Sequence, residues 1–166
     1  MIIGGIAVIG RGVPRDTSDV DAAVWGHAIE PDALLAVLAR HDIAPREDDA
    51  VAFARQNHVL LVKHQPTGVT LDISFSWLPF EREAMSRASD IEFKGVSIRA
   101  ATPEDLIIYK ATAWRDRDRA DIARLLTLHG RTIDSERGLG LVREIGQALD
   151  DPQRVAILEQ MIRDAQ

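Results

Sequence analysis

Cysteine is missing from all 166 residues, which removes disulfides and thiolate metal sites and suits a reducing compartment. Any metal must therefore sit on oxygen or imidazole. Long hydrophobic runs are missing too: no segment approaches the roughly 20 apolar residues that span a bilayer, and the N-terminus has no basic region followed by a long apolar stretch. These absences predict a cytoplasmic protein with no membrane partner. Positive charge is in short supply, with 20 Lys and Arg against 26 Asp and Glu and a formal net charge of −6. That balance argues against a surface that grips nucleic acid non-specifically, while allowing a local basic patch. Arginine does concentrate at Arg115, Arg117, Arg119 and Arg124, but Asp116, Asp118 and Asp121 are interleaved and cancel much of the charge.

What is present is ordinary for a folded chain: 46% hydrophobic and 28% charged residues, enough to bury a core. The length fits one compact domain, or a catalytic core plus a small helical appendage. Met1-Ile2-Ile3 reads as a strand that stops at Gly4-Gly5, followed by a short helix ended by Gly10-Arg11-Gly12. A polar loop leads to Asp19–Trp25, which alternates like a strand, so Asp19 and Asp21 point the same way. Pro31 opens a helix to about Arg40, with Leu34, Leu35 and Leu38 on one stripe. Val59–Val62 and Val69–Phe75 read as paired strands joined by a turn around Pro66-Thr67-Gly68, with Asp72 on the face opposite Leu71, Ile73 and Phe75. A helix from about Phe80 to Ala88 and a strand from Val96 to Arg99 follow.

Thr102 as cap, Pro103 at the first helical position and Asp105 three residues after the cap predict a helix running to about His129. The spacing of Lys110, Trp114, Arg117 and Asp121 would put them on one face of it, as a helix edge bordering a cleft. Intrahelical salt bridging is the alternative reading of those charges. The rest of the chain reads as helical, with a break near Asp151-Pro152 and with Leu139, Val142, Ile145, Leu149, Ile157 and Met161 as its apolar positions.

Two aspartates at i and i+2 on a strand suit Mg²⁺, which takes carboxylates plus water and neutralises phosphate oxygens. Two solvated acids on a surface strand are the alternative. Gly4-Gly5, between a strand and a helix, would let backbone N–H groups approach a phosphate; a plain tight turn is the alternative there. Asp72 is a lone charge in an apolar and hydroxylic strand, which is costly unless it is exposed, paired or bound to a cation. Lys110 could reach a triphosphate as a point charge.

In order and spacing these residues resemble the nucleotidyltransferase superfamily with a DNA-polymerase-beta-like catalytic fold. The likeness lies in Gly4-Gly5, a gap of about a dozen residues, and Asp19-Val20-Asp21. Within it, Arg15-Asp16-Thr17-Ser18-Asp19-Val20-Asp21 is similar to AbiEii-type toxins and related uncharacterised bacterial nucleotidyltransferases. The later match runs through Leu71-Asp72-Ile73 and Pro103-Glu104-Asp105-Leu106 to Lys110, Ala113, Arg115, Asp118 and Asp121, and the likeness spans residues 1 to 126.

The resemblance implies an α/β (α+β) fold, a mixed sheet flanked by helices, with residues 1–101 as catalytic core and 102–166 as a helical C-terminal part packed on it. It implies transfer of a nucleoside monophosphate from a triphosphate to an acceptor hydroxyl on RNA such as tRNA, or on protein, with a cognate antitoxin or toxin as possible partner. Asp19, Asp21 and Asp72 would hold Mg²⁺, or Mn²⁺ in its place, or Asp72 would take the hydroxyl proton. Gly4, Gly5, Arg15, Thr17 and Lys110 would contact the nucleotide, and Asp121 with Asp118 would orient Lys110. Two departures, a start almost at the glycine pair and Ile6 where Ser or Thr often stands, point to a pocket short of contacts. The alternative function is therefore an inactive nucleotide- or partner-binding module of the same fold.

Overall fold

The computed structural model describes residues 1–26, 28–148 and 150–165, without the side chains of Ser135, Arg137, Ile145, Gln147 and Ala148. Two of the apolar positions expected near the C-terminus, the Ile145 side chain and Leu149, lie outside the described residues. Among the described residues the strands are β1 (Ile2–Ile3), β2 (Asp19–Trp25), β3 (Ile43–Pro45), β4 (Val59–His64), β5 (Thr70–Ser76), β6 (Ser89–Phe93) and β7 (Val96–Ala100). They form one mixed sheet in the order β3-β4-β5-β2-β1-β7-β6. β2 runs parallel to β5 and β1 to β7, while the other neighbours are antiparallel.

The helices are α1 (Gly4–Gly10), α2 (Pro31–Ala39), α3 (Ala50–Asn57), α4 (Pro79–Arg87), α5 (Pro103–Ala113), α6 (Asp116–His129), α7 (Ser135–Ala148) and α8 (Pro152–Ala165). The period-2 pattern of the strands decides which face each helix covers. Leu60 and Val62 of β4 and Ile73 and Phe75 of β5 form a core with Ala50 and Ala54 of α3, against which Leu34, Leu35 and Leu38 of α2 pack. A second core joins Ala7 and Val8 of α1, Ala100 of β7, Leu106 and Ile107 of α5, Ile122, Leu125 and Leu126 of α6, and Leu158 and Ile162 of α8. Full burial of one such Leu or Ile contributes about 1.5–3 kcal/mol, so the C-terminal helices are held to the sheet by a shared apolar layer. The opposite faces of β2, β4 and β5 carry Asp19, Asp21, Lys63, Thr70 and Asp72, which belong to neither core.

The single helix expected from Pro103 to His129 is instead two, and this corrects the stripe built on it. α5 begins as expected, with Thr102 Oγ1 accepting the Asp105 N–H at 3.2 Å. It ends at Trp114, whose φ of 55° is left-handed. Five contacts fix the bend. The Asp118 carboxylate accepts the Arg115 N–H at 3.1 Å, capping a second helix. Arg154 of α8 donates to the Ala111 and Thr112 carbonyls at 3.2 and 2.9 Å, two of the carbonyls that a helix C-terminus leaves unpaired. The guanidinium groups of Arg119 and Arg154 also lie over the Trp114 ring, at 6.0 and 5.7 Å. Lys110 and Asp121 consequently meet across an elbow and not along one helix face.

Three elements absent from the sequence reading are β3, α3 and β6. Asp49, whose carboxylate accepts the Ala52 N–H at 3.2 Å, is the cap that announces α3. The β6–β7 hairpin turns at Lys94-Gly95, both at positive φ (50° and 81°), the two-residue turn whose twist matches that of the strands. No helix among the described residues is long and apolar enough to cross a membrane.

Candidate active site

Strand register alone assembles most of the site. Asp19 of β2 lies opposite Thr70 of β5, and Thr70 opposite Lys63 of β4. In the next row on the same face Asp21 lies opposite Asp72, and Asp72 opposite Leu61. Strands about 4.8 Å apart thus set three carboxylates on one open patch of sheet.

The glycine pair closes over that patch. A Cβ on Gly4, which sits at φ 63°, would fall on the Asp21 carboxylate. A Cβ on Gly5 would come within 2.5 Å of Thr17 Oγ1 and 3.3 Å of Arg15 Cζ. Absent side chains are therefore what let β2, the 11–18 loop and the start of α1 converge. Gly4→Ala combines left-handed strain with that clash, and should lower stability by about 2–3 kcal/mol, measured as a lower denaturant midpoint with an unchanged slope.

The electrostatics of the two β2 aspartates differ. Thr17 Oγ1 donates to Asp19 Oδ1 at 2.6 Å, and this hydrogen bond holds the Asp19 pKa below the ordinary carboxylate value. Burial pushes the Asp21 pKa up, as do the charges of Asp19 and Asp72, against opposing pulls from the Gly5 amide and Lys110. Among the described residues neither aspartate is in an ion pair. Asp72 is: Arg46 Nη1 donates to its Oδ1 at 2.8 Å. Exposure and pairing thus account for the lone charge on β5, and Arg46 is a neighbour that the sequence reading did not find. It precedes the acidic run Glu47-Asp48-Asp49 and has no pattern of its own.

Behind the patch lies a chain of alternating charges. Lys110 Nζ is 2.7 Å from Asp121 Oδ2 and 3.3 Å from Asp118 Oδ1. Arg15 Nη1 reaches the same Asp121 oxygen at 2.6 Å, and Arg115 Nε reaches Asp118 Oδ2 at 2.6 Å. Lys110, Asp118 and Asp121 are all buried. Burial alone would raise the Asp118 pKa, but hydrogen bonds from Arg115 and the Lys110 charge leave it lowered. The expected pairing of Asp118 and Asp121 with Lys110 is therefore present, with Arg15 and Arg115 at its two ends.

A divalent cation suits the sheet patch. Three carboxylates share one face, and burial, with the charges of Asp19 and Asp72, raises the Asp21 pKa there. Among the described residues no three His, Asp or Glu side chains converge into a finished metal cage, in keeping with Asp72 being drawn to Arg46. Mg²⁺ does not need such a cage, since it usually binds through one or two carboxylates plus water and substrate phosphates.

The family model of "Nucleotidyltransferase of unknown function (DUF6036)" matches residues 1–134. The chain belongs to this family. The matched stretch contains the glycine pair, all three sheet aspartates, Arg15, Thr17, Arg46, Lys110, Asp118 and Asp121. The solution structure of the antibiotic-resistance factor ANT(2'')-Ia is similar in fold, with a TM-score of 0.53, 20% identity, and 96% of this chain and 84% of that one covered. An antigenic nucleotidyltransferase-like protein from Paracoccidioides brasiliensis aligns with a TM-score of 0.49, 16% identity and coverage of 93% and 83%. No curated protein matches the chain. The mixed sheet with flanking helices is thus a nucleotidyltransferase fold, and nucleotide transfer is the general reaction class that the family's description names.

Proposed function

We propose that the protein transfers a nucleoside monophosphate from a nucleoside triphosphate to an acceptor hydroxyl. The observation that carries this reading is the placement of Asp19, Asp21 and Asp72 on one sheet face beside the Gly4-Gly5 turn. Asp19 and Asp21 would hold Mg²⁺, or Mn²⁺, with Asp72 as a further ligand; the ion would supply charge neutralisation at the phosphates. The hydroxyl oxygen bonds to the α-phosphorus, the bond from that phosphorus to the α,β-bridging oxygen breaks, and pyrophosphate leaves. Alternatively Asp72, in place of holding the ion, would take the hydroxyl proton. Gly4 and Gly5 contact phosphate, and Arg15 and Thr17 line the nucleotide pocket. Lys110, kept in place by Asp118 and Asp121, supports the phosphates as a fixed positive charge.

Label supplied on the α-phosphate of each of the four ribonucleoside triphosphates, offered with Mg²⁺ and cell extract, should appear in a macromolecule or small molecule, while γ-label leaves as pyrophosphate. Retention of γ-label in the product would mean phosphoryl rather than nucleotidyl transfer. Absence of any transfer would favour the second reading, a module that binds nucleotide without turnover, which the Arg46–Asp72 pair supports because it occupies the third carboxylate. RNA or protein as acceptor, and a toxin–antitoxin role with a cognate partner, rest on the sequence resemblance alone.

A further inference from the structure

The open sheet face continues past the aspartates. Lys63 of β4 lies opposite Thr70 on one side and Ala44 of β3 on the other. Arg46, just beyond β3, donates its N–H to the Leu61 carbonyl at 2.9 Å, which extends the Asp21-Asp72-Leu61 row by one place. Arg46 and Lys63 are therefore diagonal neighbours on the same face, on the far side of Asp72 from Asp21. The chain then leaves that face, because Asp49 caps α3 and α3 packs in the core on the other side of the sheet.

In-line displacement puts the attacking oxygen and the leaving pyrophosphate on opposite sides of the α-phosphorus. With the triphosphate at Gly4-Gly5 beside β2, the acceptor must approach over β5 and β4. Its surroundings there are Arg46, Lys63, the Leu61 side chain and the Thr70 hydroxyl. Arg46 is neutralised by Asp72 in the resting protein. If Asp72 turned toward Asp21 to help hold a divalent cation, the Arg46 guanidinium would be left beside Lys63, which is without an ion pair among the described residues. Two adjacent cations without counter-charge call for an anion.

Resting on the nucleotidyl-transfer reading, we propose that Arg46 and Lys63 form an anion subsite on the acceptor side, selecting a hydroxyl whose carrier bears a phosphate next to it. The test is an NMR titration of the whole protein with saturating Mg²⁺, using ribose 5-phosphate, ribose and the RNA trinucleotide UUU. The first two separate phosphate from sugar, and the third separates a polynucleotide diester from a small monoester. At least one phosphate-bearing probe should bind where ribose does not. Arg46→Gln and Lys63→Gln should each weaken it about tenfold, and Arg46→Lys should recover most of the loss. Equal binding of ribose, or unchanged phosphate binding by the double Gln variant, would overturn the subsite. Triphosphate binding is measured on the same samples. Its absence alone counts against nucleotidyl transfer, and failure of the phosphate probes alone counts against this subsite.

Discussion

Asparagine at both positions 19 and 21 is expected to abolish the stabilisation that Mg²⁺ and a nucleoside triphosphate together confer on the protein. A ligand at a hundred times its Kd adds about 2.7 kcal/mol to the native state, which for a chain of this length is a midpoint rise of roughly 5–10 °C. The double variant should show none of it with any of the four triphosphates. Without Mg²⁺ the two single variants should move in opposite directions. The Asp21 pKa is raised in the folded protein by burial and by Asp19 and Asp72, so the folded state binds its proton more tightly than the unfolded state does. Stability from this group is then greatest below the ordinary value of 3.8 and falls as pH climbs through the raised value. At neutral pH the charge is a net cost, and Asp21→Asn should raise the midpoint. The Asp19 pKa is lowered, chiefly by Thr17, so its contribution is present above the unfolded value and is lost as pH falls through the folded one. Asp19→Asn should therefore lower the midpoint at neutral pH. Thermal melts of the three variants with and without Mg²⁺ check all of this; a double variant that keeps the metal-dependent rise would place the nucleotide elsewhere.

Lys110→Met should produce the largest loss of stability of any substitution at the site. It leaves the buried carboxylates of Asp118 and Asp121 with only Arg115 and Arg15 as partners. Breaking a buried ion pair from one side costs about 3–5 kcal/mol, because a charge is left uncompensated out of water. A midpoint drop of roughly 10 °C follows. The triple variant Lys110→Met, Asp118→Asn, Asp121→Asn removes the stranded charges and should recover a good part of that drop, although Arg15 and Arg115 lose their counter-ions. No recovery would mean that Lys110 acts through the packing of its stem and not through its charge.

The carboxylate pattern on the sheet was legible in the sequence because it depends on period-2 alternation alone: Asp19 and Asp21 share a face, and Asp72 stands opposite the apolar side of β5. The glycine pair was legible for a similar reason, since few other residues tolerate both the φ of Gly4 and the proximity of Asp21. The elbow at Trp114 was not. Helical periodicity carries unbroken from Ile107 to Leu125 and hides the Asp118 cap inside it, and part of what holds the bend comes from Arg154, 40 residues further on. Arg46 was hidden by the same kind of distance. It meets Asp72 only after β3 pairs with β4 and β4 with β5, and β3 is three residues long, too short to show any alternation.

That elbow ties the cleft to a helix outside the family match. The family match ends at residue 134 and contains every side chain of the site. It does not contain Arg154, whose guanidinium closes the end of α5 and rests on Trp114, nor Leu158 and Ile162, which belong to the second core. Lys110 and its partners Asp118 and Asp121 lie on the two arms of the elbow, so α8 buttresses from outside a set of ion pairs made between α5 and α6.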